Sequence, residues 1–197
     1  MENIDLKNML SKKYLLENGV SDLEKKFDEI AKILLTKTKI VKGSQEYYIT
    51  DIEFYLYCDG HEDIITYPRN CEAGMWFFHN SGIDISFKSE NVEFIDSGNA
   101  LKAVYPNDEK IFFGGILIRG IRLSNSNNYK GLTGKNLDNH PQNICDELFD
   151  KFNALEPITA NDYPHLVILD KPHCEFNREK IERVNLISND MSVTNKV

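Results

Sequence analysis

A chain of 197 residues is long enough for one domain with a substantial core and too short for two full ones. Its 41% hydrophobic content, with eleven Phe and nine Tyr, excludes a disordered chain, and no apolar run reaches the roughly eighteen residues of a membrane helix. A net charge of −8 without a basic tail argues against strong sequence-independent adhesion to nucleic acid, though it leaves room for a local basic groove.

In chain order, residues 1–18 are expected to be helical and loosely specified, with Gly19 as a C-cap. Ser21 then opens a better helix, with Glu24 at capping-box spacing and Leu23, Phe27, Ile30, Ala31 and Leu34 as its apolar stripe. The helix is expected to end near Thr36, and TKIVKG follows as a first strand with a turn at Gly43. Glu46–Tyr57 alternates as a strand. Strict period two puts Tyr48, Thr50, Ile52, Phe54 and Leu56 on one side, and Tyr47, Ile49, Asp51, Glu53, Tyr55 and Tyr57 on the other. Asp59-Gly60 turns the chain, TYPRN is an ordered loop because Pro68 opposes helix, and Met75–His79 with Ile83–Phe87 reads as a hairpin.

Short strands with acidic turns are expected over 90–110. IFFGGILIRGIRL (111–123) is the clearest buried strand, its paired glycines marking a bulge or a close backbone approach. A polar loop with Gly131 and Gly134 follows, then a short helix marked by Ile144, Leu148 and Phe152. HLVILD (165–170) reads as a strand, 180–187 as a strand or short helix, and the last residues as frayed. This order implies a single α+β domain over 1–197: a curved, largely antiparallel sheet with flanking helices, in which 1–20 and 190–197 are peripheral.

Side chains suited to chemistry crowd between Tyr47 and Phe87. Glu53 lies between Ile52 and Phe54 with Asp51 and Tyr55 as same-side neighbours. It is either a desolvated proton acceptor or one polar member of an exposed sheet face. His61, in GHED, either binds a ligand or pairs with Glu62 or Asp63; His79 reads as structural. Arg69 either clamps an anion or caps its loop. Arg119 puts a charge inside ILIRGI, where it needs Asp51, Asp84 or a ligand as partner. Tyr55, Trp76 and Phe78 are core residues by type, or walls of a slot for a flat ring. The four cysteines form no CxxC pair, no HExxH or phosphate-binding glycine loop is present, and neither a metal nor a cofactor is expected. The N-terminus lacks a signal-peptide pattern, which with the cysteine usage points to the cytoplasm.

The succession AKILLTKTK, IEFY, GHED, TYPRN, GMWFFHNSGIDISF and GILIRG, over about residues 30–122, resembles the methylpurine (3-methyladenine) DNA glycosylase family. The resemblance implies a mixed α/β domain that flips a damaged purine and cuts its N-glycosidic bond without metal. By position it implies Glu53 as the water-activating carboxylate and Arg119 as the arginine beside the water. Tyr55, His61 and Phe78 would wall the base pocket; Arg69, from its own residue type and not from the resemblance, is a further candidate to contact the substrate. The partner is then DNA or a nucleotide, with a local basic groove to meet it; the sequence leaves the oligomeric state open, with a monomer favoured, and the alternative is a non-catalytic nucleic-acid- or nucleotide-binding protein that keeps the fold. The sequence departs from the family pattern at Ser81, where the family has a wedging tyrosine, at Lys88, where it has an asparagine, and in its acidic charge.

Overall fold

The computed structural model describes residues 4–98, 100–107, 110–125, 129–131, 141–150 and 154–176. The expected loop glycine Gly134, the helix marker Phe152, and the element over 180–187 lie outside the described residues.

The N-terminal segment forms two one-turn helices, α1 (Leu6–Met9) and α2 (Lys12–Leu15), each capped by a side chain, Asp5 and Ser11 respectively. Gly19, at φ +83°, turns the chain into a 3₁₀ turn, Val20–Asp22, which runs into α3 (Leu23–Thr36). The helix therefore starts two residues after the expected Ser21 cap, with no side chain capping it, because the 3₁₀ turn takes up the first amides. Of its predicted stripe, Leu23, Phe27, Ile30 and Leu34 are buried and Ala31 is half-buried, and Phe27 stacks on Phe54 at 4.4 Å between ring centroids.

The main sheet is antiparallel throughout and curls around this helix. Its strands are β1 (Thr38–Lys42), β2 (Gln45–Cys58), β3 (His61–Glu62), β4 (Trp76–His79) and β5 (Gly82–Ser86), then β8 (Phe112–Leu123), β9 (Tyr129–Gly131) and β10 (His165–Ile168). The spatial order is β10-β1-β2-β8-β5-β4, with β3 paired to β2 and β9 to β8. Between β5 and β8 in sequence, β6 (Glu93–Asp96) and β7 (Leu101–Val104) make a separate two-stranded ribbon. Helix α4 (Gln142–Leu148) buries Ile144 and Leu148 in the same core as α3. It is tied to the sheet by Tyr47, whose hydroxyl donates to Glu147 Oε1 at 2.8 Å, and by buried Lys42, which bonds Asp150 and the Glu147 carbonyl.

The expected two faces of β2 require a correction. Ile49 pairs with Ile121, Asp51 with Gly120, and Ile52 with Ile118, so Thr50 and Arg119 are extra residues in their strands. Each strand thereby turns two successive residues, Thr50-Asp51 and Arg119-Gly120, away from the core. Tyr47 and Ile49, assigned to the polar side by strict alternation, are instead buried with Leu56 and Cys58 on the helix-facing side. A period-two reading cannot see a bulge, because the inserted residue changes the phase without changing residue type.

Candidate functional site

The bulge sets Asp51, Glu53, Tyr55 and Tyr57 on the face of β2 turned away from α3. Cross-strand register extends this face in rows. Tyr57 lies beside Phe113, Tyr55 beside Gly115 and then Ser86, and Glu53 beside Leu117 and then Asp84. On β4, Phe77 lies opposite Asp84 and so joins the same face.

Glu53 and Arg119 meet here. Arg119 Nη1 donates to Glu53 Oε2, and Nε lies 4.0 Å from Asp51 Oδ2, so one guanidinium serves two carboxylates through different nitrogens. The Glu53 side chain is 13% exposed and that of Asp51 44%. Burial pushes the Asp51 carboxyl above the ordinary carboxylate range. Arg119 pulls it back, the charge of Glu53 adds to the rise, and a hydrogen bond from the Ile52 backbone opposes it. Of the two structural partners foreseen for Arg119, Asp51 stands near it, whereas Asp84 belongs to another arginine.

That arginine is Arg69. It is almost fully buried, with Nη1 donating to Asp84 Oδ2 at 2.7 Å, Nε to the Tyr67 carbonyl at 3.1 Å, and the guanidinium 3.9 Å above the Phe77 ring. It fits because position 115 is glycine: a Cβ there would sit 2.7 Å from Nη1. His79 completes the cluster through Nε2 to Asp84 Oδ1 at 2.9 Å. The Ser81 amide donates to His79 Nδ1, so the ring proton belongs to Nε2 and points at Asp84. This triad fastens the loop before Arg69 onto the Glu53 face, so Arg69 caps its loop and does not stand open for an anion.

The remaining candidates separate from Glu53. His61 is paired with Cys58, a fully buried helix-side position, and its Nδ1 bonds the Leu56 carbonyl at 3.0 Å. Phe78 is paired with buried Ile83 and meets Phe149 edge-on at 4.8 Å, which also puts it on the helix side. The structure thus gathers Glu53, Arg119, Tyr55 and Arg69 on one face, and leaves His61 and Phe78 on the other. The rings it supplies to the Glu53 face are Tyr57, stacked on Phe113 at 5.0 Å, together with Phe77 and Tyr67. Pairing His79 with Gly82 across a two-residue turn and stepping two residues back along each strand would have placed Phe77 opposite Asp84, since the side chains flanking such a turn share a face.

An open groove of about 330 Å³ lies elsewhere, at the β1–β2 turn and the end of β8, lined by Ser44, Gln45, Glu46, Leu123, Ser124 and Asn125. Its volume would suit a small ligand, but its lining offers a single carboxylate, already paired with Lys39. Among the described residues, no group of three or more His, Cys, Asp or Glu side chains is placed to hold a metal ion, and no helix is long and apolar enough to cross a membrane. Compared with known proteins, the chain matches no family model, no curated protein and no solved structure.

Proposed function

We propose that the protein hydrolyses the N-glycosidic bond of an alkylated purine in DNA, with Glu53 activating the attacking water and no metal taking part. The observation that carries this reading is the meeting of Glu53 with Arg119, from strands far apart in sequence, on a sheet face where Tyr55 is the next residue along. A largely desolvated carboxylate held in one orientation by a guanidinium suits a general base, because its lone pairs are aimed before the substrate arrives. Water loses its proton to Glu53 as its oxygen bonds to the anomeric carbon. The alkylated base is cationic, and it departs with the electron pair of the broken C–N bond as a neutral purine. Arg119 fixes the carboxylate and supplies positive charge to the nucleic-acid backbone on a protein that is otherwise acidic.

Without a wedging tyrosine at Ser81, the unstacking that exposes a base in a duplex is poorly offset, so an extruded or single-stranded base is the favoured form of substrate. A second reading, a non-catalytic nucleic-acid- or nucleotide-binding protein, draws support from the positions of His61 and Phe78 across the sheet from Glu53. The two readings diverge on base release. Wild-type protein is expected to release 7-methylguanine or 3-methyladenine from alkylated single-stranded DNA. Glu53→Gln should lower the rate by about 10²-fold or more and leave binding largely intact. Binding by the wild type with no base release would select the second reading.

A further inference from the structure

The ribbon of β6 and β7 stands apart from the main sheet. Its root is firm: Val92, just before β6, is buried with Ile111 and Phe113, and Tyr105, just after β7, stacks on Phe113 at 6.0 Å between ring centroids. Beyond that root all four residues of β6, Glu93-Phe94-Ile95-Asp96, are exposed, as are Leu101 and Lys102 on β7. Phe94 and Ile95 are 41% and 48% exposed, large fractions for apolar side chains in a strand. A two-stranded ribbon is marginal in water by itself, and a third strand is what makes a stable sheet of it. The register shows which backbone groups would receive that strand. The Ser97 amide donates to the Ala100 carbonyl at 3.0 Å, and alternation from this bond turns the N–H and C=O of Glu93 and Ile95 toward β7. Those of Phe94 and Asp96 therefore point to the outer edge of β6, which pairs with no other strand among the described residues. Lysine, proline and bulges are the usual devices that keep strangers off an edge; β7 carries Lys102, whereas β6 has none of them.

We infer that the outer edge of β6 binds an extended segment of another protein, of pattern cation–apolar–apolar–cation, as the third, antiparallel strand of this ribbon. The pattern is the complement of β6 itself. Residues directly opposite in an antiparallel pair share a face, so lysine or arginine meets Glu93 and Asp96, and β-branched residues meet Phe94 and Ile95. Main-chain bonds to Phe94 and Asp96 supply affinity, and the two carboxylates at the ends of the strand supply selectivity and register. A second copy of this chain is the wrong occupant, because its β6 is equally acidic. Self-pairing would crowd two glutamates and two aspartates along one short edge. Nucleic acid is disfavoured for the same reason, since this edge opposes phosphate with carboxylates and offers it no cation. The inference is independent of the hydrolytic reading, and it gives the ribbon a role that the Glu53 face does not use.

The test uses the full chain and fluorescently labelled peptides with a central Lys-Val-Ile-Lys or Glu-Val-Ile-Glu, followed by anisotropy. Wild type is expected to bind the lysine peptide saturably and the glutamate peptide about tenfold or more weakly. The double variant Glu93→Lys/Asp96→Lys should reverse that preference, and Phe94→Ser should weaken both peptides. Methylating the peptide amides that face β6 should abolish binding, because it removes the ladder donors. Hydrogen exchange should slow at the Phe94 and Asp96 amides when the lysine peptide is added. Thermal unfolding checks that the variants keep the main sheet, which these exposed positions do not help to pack. Equal binding of the two peptides, no saturable binding of either, or protection confined to other residues overturns the inference. A wild-type dimer in sedimentation that Phe94→Ser dissociates assigns the edge to a second copy and also overturns it, as does protection of the same two amides by single-stranded DNA.

Discussion

Asp84 shows how far a single residue can govern this face. Its carboxylate is 1% exposed and is held by Arg69, equally buried, and by the Nε2–H of His79. Two charges taken out of water are tolerable only while each retains its partner, since an unpaired buried guanidinium keeps the full cost of its lost hydration. Asp84→Ala should therefore destabilise the protein by about 3–5 kcal/mol in urea unfolding. Simultaneous replacement of Asp84, Arg69 and His79 by apolar residues of similar volume should cost less than that single change. An equal or larger loss for the triple variant would show that the triad contributes more than mutual neutralisation.

At the scale of elements, the antiparallel ribbon of β2 and β8 sets the geometry of the site. Gly114 allows its tight central approach: a Cβ there would lie 2.1 Å from the Tyr55 carbonyl oxygen, a backbone atom that cannot step aside. Gly114→Ala should cost at least about 2 kcal/mol, by pushing apart the strand segments that carry Tyr55 and Gly115. Under the proposed hydrolytic function, loss of base release at temperatures where the variant remains folded is the accompanying readout. The bulge at Thr50 and Arg119 acts in the opposite sense. It interrupts pairing at one step and leaves Arg119 and Gly120 both turned outward between Ile118 and Ile121, so that Ile116, Ile118 and Ile121 are all fully buried. An unbulged β8 would pass from Ile118 to the core phase one residue early and direct Ile121 to the solvent side.

Across the whole molecule, the segment after β10 returns over the sheet, where the His173 ring stacks on Tyr48 at 3.7 Å and its amide donates to the Thr36 carbonyl at 2.9 Å. Burial pushes the His173 pKa down, a backbone hydrogen bond to Leu35 opposes this, and nearby Arg122 lowers it further. With the folded value below the unfolded one, the unfolded chain binds the proton more readily. The stabilisation is therefore complete above the unfolded value of about 6.5 and is lost as pH falls. Thermal unfolding at pH 7.5 and pH 5.5 should show a larger drop for the wild type than for His173→Gln. Equal drops would remove His173 as the source of the acid sensitivity.

The sequence by itself determined the α+β character, the span and stripe of α3, the turn glycines, and the concentration of reactive side chains between Tyr47 and Phe87. These follow from local spacing and backbone sterics, which act within a few residues. Tertiary structure decided which of those side chains share a face. A paired bulge inverted the phase of β2, register put His61 and Phe78 across the sheet from Glu53, and Asp84 was joined to Arg69 and His79 and not to Arg119. Such pairings depend on how strands from distant parts of the chain align, and one inserted residue is enough to exchange core for surface.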